Sequence, residues 1–287
     1  MPALYKKELR LYFVTITGYV FLAFMLLSTG IYSSIVNFVY YSPSFEFAVK
    51  NMSMVLLIAI PLLTMRVFAD EKKQRTEQLL FILPIDLKGI VLGKYLALIT
   101  VTLIPAIVMC FYPLILSLYG VVNYKTALST ILAFYFLECA LCSIGMFASS
   151  LTENQLIAAV ITFGALLVCY MIPSVTANIS PAYAFSFKAF SAVAVLIALI
   201  VFFASSSIPA AVIVGLIFEI PLLIIYFKNP TWLSGKFTTF VSCFAIFDKI
   251  STFVNGVMDI TVYVYYITVS ALFVCFTVQS VGRRRWK

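Results

Sequence analysis

The chain contains no histidine among its 287 residues. Histidine is the commonest general base in enzymes and the commonest transition-metal ligand in proteins, so its absence disfavours most hydrolase and metal-dependent chemistry. The apolar segments also hold no paired carboxylates and no nucleophile motif. A membrane-embedded enzyme is therefore the least favoured function, and we expect no catalytic residue, metal site or cofactor in this chain.

Charged residues are scarce as well. They make up 10% of the sequence, whereas soluble domains usually carry about 25%, and 63% of the residues are hydrophobic, with a mean hydropathy of +1.10. A water-soluble fold cannot bury that much apolar surface. The composition predicts an all-α bundle of membrane helices that forms one domain over residues 1–287.

Apolar runs recur along the chain, each about 17 to 25 residues long and so able to cross about 30 Å of hydrocarbon. The eight predicted spans are residues 18–40, 52–68, 95–119, 127–149, 155–172, 189–206, 208–227 and 261–281. Six spans are the alternative, if residues 189–227 form a hairpin that only dips into the membrane. Before the first span, Tyr5, Leu9, Tyr12 and Phe13 share one face of a predicted amphipathic helix that lies on the membrane surface.

Basic residues are distributed unevenly along the chain. Of the 19 Lys and Arg residues, 13 lie before the first span, in residues 66–94 or in the C-terminal tail. The positive-inside rule places these three segments, and hence both termini, in the cytoplasm, which indicates a multi-pass protein of the plasma membrane. Because these residues lie beside spans and do not line one groove, no nucleic-acid partner is expected.

The most polar stretch of the chain, residues 69–94, separates the second span from the third. In order it holds the acids Asp70 and Glu71, the bases Lys72, Lys73 and Arg75, the polar pair Thr76 and Glu77, the apolar pair Leu79 and Leu80, and Pro84. This order predicts a short helix with a charged face and an apolar end. Such a helix, held between two spans, is suited to docking onto a partner. The alternative is a solvated loop that only obeys the positive-inside rule.

Several motifs resemble one family. Residues 61–66 (PLLTMR), 70–73 (DEKK), 76–80 (TEQLL) with Pro84, 93–97 (GKYLA), 149–155 (SSLTENQ), 256–259 (GVMD), 265–266 (YY) and 284–286 (RRW) resemble the permease subunits of type-2 ABC exporters, in the gliding-motility and NosY-like group. Two features depart from the family pattern: Arg75 stands where glycine is usual, and the span pair in residues 189–227 is extra to the usual six.

The resemblance implies a permease that works with a second copy or a related permease. Each copy would bind a separate ATP-binding subunit through the segment after the second span, here residues 70–84. ATP and Mg²⁺ would belong to that partner, because this chain has no G-x-x-x-x-G-K-[ST] motif. The chain itself is then not an enzyme, and the resemblance points to a bacterial source.

Two carboxylates lie midway along predicted spans, Glu138 in the fourth and Glu219 in the seventh. An ionised, unpaired carboxylate costs about 2.5 to 3.5 kcal/mol at such a position, so each should face protein or water or be protonated. Glu138 and Glu219 are candidates for a translocation path or a proton relay, and the alternative is a neutral packing role. A proton-coupled secondary transporter is accordingly the second function considered.

Overall fold

The computed structural model describes residues 2–74, 86–179, 182–205, 208–228 and 233–285, and within these ranges every regular element is a helix. In chain order the helices are α1 (Pro2–Val14), α2 (Ile16–Ser33), α3 (Phe45–Met52), α4 (Leu56–Thr64), α5 (Ala69–Lys73), α6 (Leu87–Met109), α7 (Phe111–Leu116), α8 (Tyr124–Leu151), α9 (Gln155–Ala177), α10 (Tyr183–Ser205), α11 (Ile208–Lys228), α12 (Lys236–Ser242), α13 (Ser251–Val254) and α14 (Ile260–Arg285). The predicted all-α class is confirmed.

Six helical stretches in the described residues are long and apolar enough to cross a membrane. They are Ile16–Val39, Phe45–Lys73, Leu87–Leu116, Tyr124–Leu151, Gln155–Ala177 and Ile260–Arg283. Each overlaps one predicted span, and their length and composition fit the predicted multi-pass helical membrane protein. The remaining two predicted spans largely coincide with α10 and α11, which are 23 and 21 residues long.

Two of these stretches begin earlier than the hydropathy pattern predicts. The second starts at Phe45 and not at residue 52, and the third starts at Leu87 and not at residue 95. Polar residues such as Lys50 and Lys94 lower the local hydropathy, yet lysine is a good helix former and the helix continues through it. Hydropathy therefore located the spans but not the ends of the helices.

The chain forms two compact units, Met1–Tyr170 with Ile246–Lys287, and Met171–Ala245. In the first unit α8 is the central helix and packs against α3, α4, α6, α13 and α14. Small residues allow the close approach: a Cβ atom added at Gly145 would overlap with the Thr64 side chain of α4. The core of this unit is therefore built around one helix that the others surround.

The start of α14 is marked by an acid immediately before the helix. The Asp259 carboxylate accepts a 2.9 Å hydrogen bond from the Thr261 N–H, one of the helix's first N–H groups, which have no partner within the helix. Hydrogen bonds from Thr261 favour the charged form and lower the pKa of this carboxyl. The carboxylate thus stabilises the helix at the point where it begins.

The N-terminal helix α1 packs along α6. The Tyr5 hydroxyl lies 3.0 Å from Thr100 Oγ1, Leu4 packs over Gly93, and Tyr12 is buried in the core of the first unit. The predicted amphipathic helix is therefore present, but its apolar face packs against protein. Its basic residues, Lys6, Lys7 and Arg10, are exposed, as an amphipathic pattern requires.

The second unit is built on α10 and α11, which pack against each other along their length. Aromatic side chains dominate the described contacts, with ring centroids 4.6 Å apart for Phe187 and Tyr226 and 5.2 Å apart for Phe190 and Phe237 of α12. Aromatic packing therefore contributes to the contacts between the helices of this unit.

Candidate coupling site at one end of the first unit

Lys94 of α6 is a buried cation at the centre of a polar cluster. Its side chain is 2% exposed, and its ammonium group donates to Glu71 Oε1 at 2.8 Å, to the Val67 carbonyl at 3.1 Å and to Glu8 Oε1 at 3.2 Å. An ammonium group has three N–H donors, and each has an acceptor here. The charge is therefore fully compensated although it is out of contact with solvent.

Glu8 brings α1 into the same cluster. It is 5% exposed, and Lys7 Nζ lies 4.0 Å from its Oε1 at the edge of the cluster. The Phe68 ring completes the surroundings, with its centroid 5.3 Å from Lys94 Nζ. Two carboxylates and two ammonium groups thus balance one another, and they join α1, α5 and α6 at one point.

Ser149 of α8 holds the turn between α4 and α5. Its hydroxyl oxygen accepts hydrogen bonds from the N–H groups of Phe68 at 3.1 Å and Ala69 at 3.2 Å, and the hydroxyl donates to the Met65 carbonyl at 3.1 Å. Backbone groups in a turn have no helical partner, so a buried turn needs such a side chain. One hydroxyl therefore fixes the direction in which the chain leaves α4.

Lys72 makes a second link from α5 to α8. It is buried, and its ammonium group donates a hydrogen bond to the Ser150 carbonyl near the end of α8. Closer to the start of α8, Gly145 brings this helix into direct contact with Thr64 of α4. Through Glu71 and Lys72, α5 is thus bonded to both α6 and α8.

The predicted docking residues divide into two groups. Six of them lie outside the described residues: Arg75, Thr76, Glu77, Leu79, Leu80 and Pro84. Of the remaining four, Glu71 and Lys72 bind their own chain, Asp70 Oδ2 lies 3.9 Å from Arg66 Nε, and Lys73 is exposed. Lys73 is thus the most exposed of these four, Asp70 is partly exposed, and the docking role of the whole segment stays a prediction.

The two intramembrane carboxylates have different surroundings. Glu138 of α8 is fully buried, and neither carboxylate oxygen has a hydrogen-bond partner among the described residues. Burial of this kind favours the neutral acid, because an isolated carboxylate would lose its hydration without compensation. Glu219 of α11 is partly exposed and accepts a 2.6 Å hydrogen bond from Ser191 of α10. Their roles in transport stay predictions.

Sequence reasoning missed the central members of the cluster, Glu8, Lys94 and Ser149. A signal for Glu8 was present, because Leu4, Glu8 and Tyr12 follow one another at four-residue intervals and an acid on the apolar face of a helix needs a partner. In the sequence Lys94 counts as a topological charge and as part of the motif at residues 93–97, and neither observation predicts its pairing with Glu8 and Glu71. Its burial depends on contacts between distant segments, which a pattern along the chain does not reveal.

The described part of the chain holds no group of three His, Cys, Asp or Glu side chains that could bind a metal ion. The cluster around Lys94 instead has the character of a structural junction, since each of its charges is paired within the chain. In comparisons with known proteins, no family model, no curated protein and no solved structure matches this chain.

Proposed function

We propose that this chain is the membrane-spanning permease subunit of an ATP-driven exporter, in which a separate subunit binds and hydrolyses ATP. Its support is the resemblance of the short motifs within residues 61–97 and at 149–155 to type-2 ABC exporter permeases, together with six apolar helices of spanning length. A second permease completes the translocation unit, and the substrate is moved between the two.

The observation that carries the proposal is the anchoring of α5. The segment of residues 70–84 begins at this helix, and α5 is tied to α6 through Glu71 and Lys94 and to α8 through Lys72. A docking segment can move spans only if its base is rigidly attached to them. In this proposal the anchored residues transmit movement, and the residues beyond Lys73 contact the ATP-binding subunit.

The proposed topology has both termini in the cytoplasm and eight spans, with α10 and α11 as the sixth and seventh. In a variant without its six native cysteines, cysteine placed at position 73 should react only with a reagent added on the cytoplasmic side, and cysteine at position 236 only from outside. A cysteine at position 206 should be reachable from the cytoplasm if α10 and α11 both cross. Reaction of positions 73 and 236 from the same side contradicts the topology, and position 206 labelled only from outside supports six spans.

The partner can be tested directly by purifying the tagged chain from its native membrane. The expected result is a stoichiometric complex with a polypeptide that carries a G-x-x-x-x-G-K-[ST] motif and hydrolyses MgATP. Recovery of the chain without such a polypeptide, while it still transports in sealed vesicles without ATP, would contradict the proposal.

The burial of Glu138 favours the second candidate function, that of a proton-coupled transporter. The buried carboxyl group of Glu138, without a partner among the described residues, can take up and release a proton, which a glutamine cannot do. If Glu138 carries protons, Glu138→Gln should abolish proton uptake by vesicles that contain this chain alone, whereas the exposed control Glu153→Gln should not. Equal proton uptake by wild type and Glu138→Gln assigns Glu138 to packing.

A further inference from the structure

A groove of about 720 Å³ runs between α6 and α14 in the first unit, with α8 at its floor. The α6 wall consists of Lys88, Leu92, Tyr95 and Ile99, which follow one another on a single helix face. On α14 the wall extends from Ile267 to Gln279. The groove thus has a polar end, at Lys88 and Gln279, and an apolar end, at Ile99 and Ile267.

The walls offer almost nothing to a polar ligand. The Tyr95 hydroxyl donates to the Cys139 carbonyl at 3.1 Å, and the Ser270 hydroxyl donates to the Tyr266 carbonyl at 2.8 Å. These polar groups of the wall are already satisfied within the protein, and most other lining side chains are hydrocarbon or aromatic. The groove therefore suits a hydrocarbon chain.

The length of the groove matches one leaflet of a bilayer. Lys88 and Ile99 are eleven residues apart on α6, which corresponds to about 16 Å at 1.5 Å per residue. Half of a hydrocarbon core of about 30 Å is about 15 Å.

Positive charge lies at the polar end. Lys88 and Arg283 are exposed, and the approach of Leu87 to Gly282 brings the start of α6 next to the last turns of α14. Asp86 is also exposed there, and the three charges of Asp86, Lys88 and Arg283 sum to a net positive charge. An anionic headgroup is complementary to this end.

We propose that this groove binds an anionic phospholipid, with one acyl chain between α6 and α14 and the phosphate at Lys88 and Arg283. The lipid seals the space between these two helices and holds them at a defined separation. The lipid is assigned to the cytoplasmic leaflet because of the orientation proposed above. The site itself does not depend on the chain being an exporter.

The test uses the full-length chain in vesicles of phosphatidylcholine with a trace of photoactivatable phosphatidylglycerol, whose reactive group lies near the end of one acyl chain. After illumination, labelled residues are mapped by mass spectrometry. Labelling is expected near Ile99 and Ile267, and unlabelled phosphatidylglycerol should compete better than phosphatidylcholine. Lys88→Gln and Arg283→Gln should each weaken this labelling about five-fold, whereas Lys125→Gln, at an exposed lysine far along the chain, should not.

A second pair of variants tests the acyl chain. Ala271→Trp fills the groove and should abolish labelling near Ile99 and Ile267, whereas Leu272→Trp, on the neighbouring exposed position outside the lining, should preserve it. Equal labelling of all lipid-facing helices, or equal competition by both lipids, would show ordinary surrounding lipid and overturn the proposal. Cross-links between two copies at the groove would assign it to a second chain and overturn the proposal as well.

Discussion

The two units of the chain are stabilised in different ways. In the first unit a buried ammonium group, Lys94, is bonded to two carboxylates from two other helices, and a single hydroxyl, Ser149, holds a turn. In the second unit Ser191 of α10 donates a hydrogen bond to Glu219 of α11, and aromatic rings pack beside it. Buried charges fix relative positions because breaking one pairing leaves another charge unpaired.

The difference indicates where movement can be transmitted. Helices joined by several mutually dependent polar bonds move as one body, whereas helices joined mainly by apolar contacts can adjust their packing at lower cost. The segment of residues 70–84 begins in the first unit, where helices are joined by such polar bonds. Mutations that remove one link should therefore have large effects in the first unit and small effects in the second.

The largest effect is expected for Lys94→Met. Glu8 and Glu71 would then lose the buried cation that they share, which should lower the free energy of unfolding by about 3 to 5 kcal/mol. The measurement is reversible unfolding in mixed detergent micelles, with the exposed Lys73→Met as control, expected within about 0.5 kcal/mol of wild type. Adding Glu8→Gln and Glu71→Gln should recover much of the loss. A Lys94→Met protein as stable as wild type would contradict the importance of the cluster.

An intermediate effect is expected for Gly145→Ala. The new methyl group would overlap with Thr64, so α8 and α4 must separate, at a cost of about 1 to 3 kcal/mol. Gly164→Ala is the matched control, because nothing lies within 4 Å of a Cβ atom at that position. Thermal unfolding of both variants measures the difference, and equal stability would show that the helices are not in close contact.

The smallest effect is expected in the second unit. Ser191→Ala removes one hydrogen bond to the partly exposed Glu219, which should cost about 0.5 to 1.5 kcal/mol. Limited proteolysis measures this loss, because the rate of cleavage within residues 171–245 reports local opening of the unit. A loss as large as that of Lys94→Met would remove the contrast between the units.

The sequence was sufficient to predict the helices that are long and apolar enough to cross a membrane, because runs such as residues 127–149 are apolar over a spanning length. It could not show that α1 packs along α6, since an amphipathic face fits a lipid surface and a protein surface equally well. Nor could it pair Lys94 with Glu8, 86 residues apart. Such pairings depend on three-dimensional packing, and hydropathy treats each charge separately.

The central claim is that residues 70–84 attach this chain to an ATP-binding subunit. Replacing Leu79 and Leu80 together by serine tests it most directly, because a buried leucine contributes about 1.5 to 3 kcal/mol to an interface and a rim ion pair only about 0.2 to 1 kcal/mol. The matched control is Leu118→Ser with Val121→Ser, two exposed apolar residues between α7 and α8. We predict that the Leu79 and Leu80 variant inserts normally but loses the ATP-binding subunit and its ATPase activity on purification, while the control keeps both. Full retention of the subunit and its activity in the Leu79 and Leu80 variant would contradict the account.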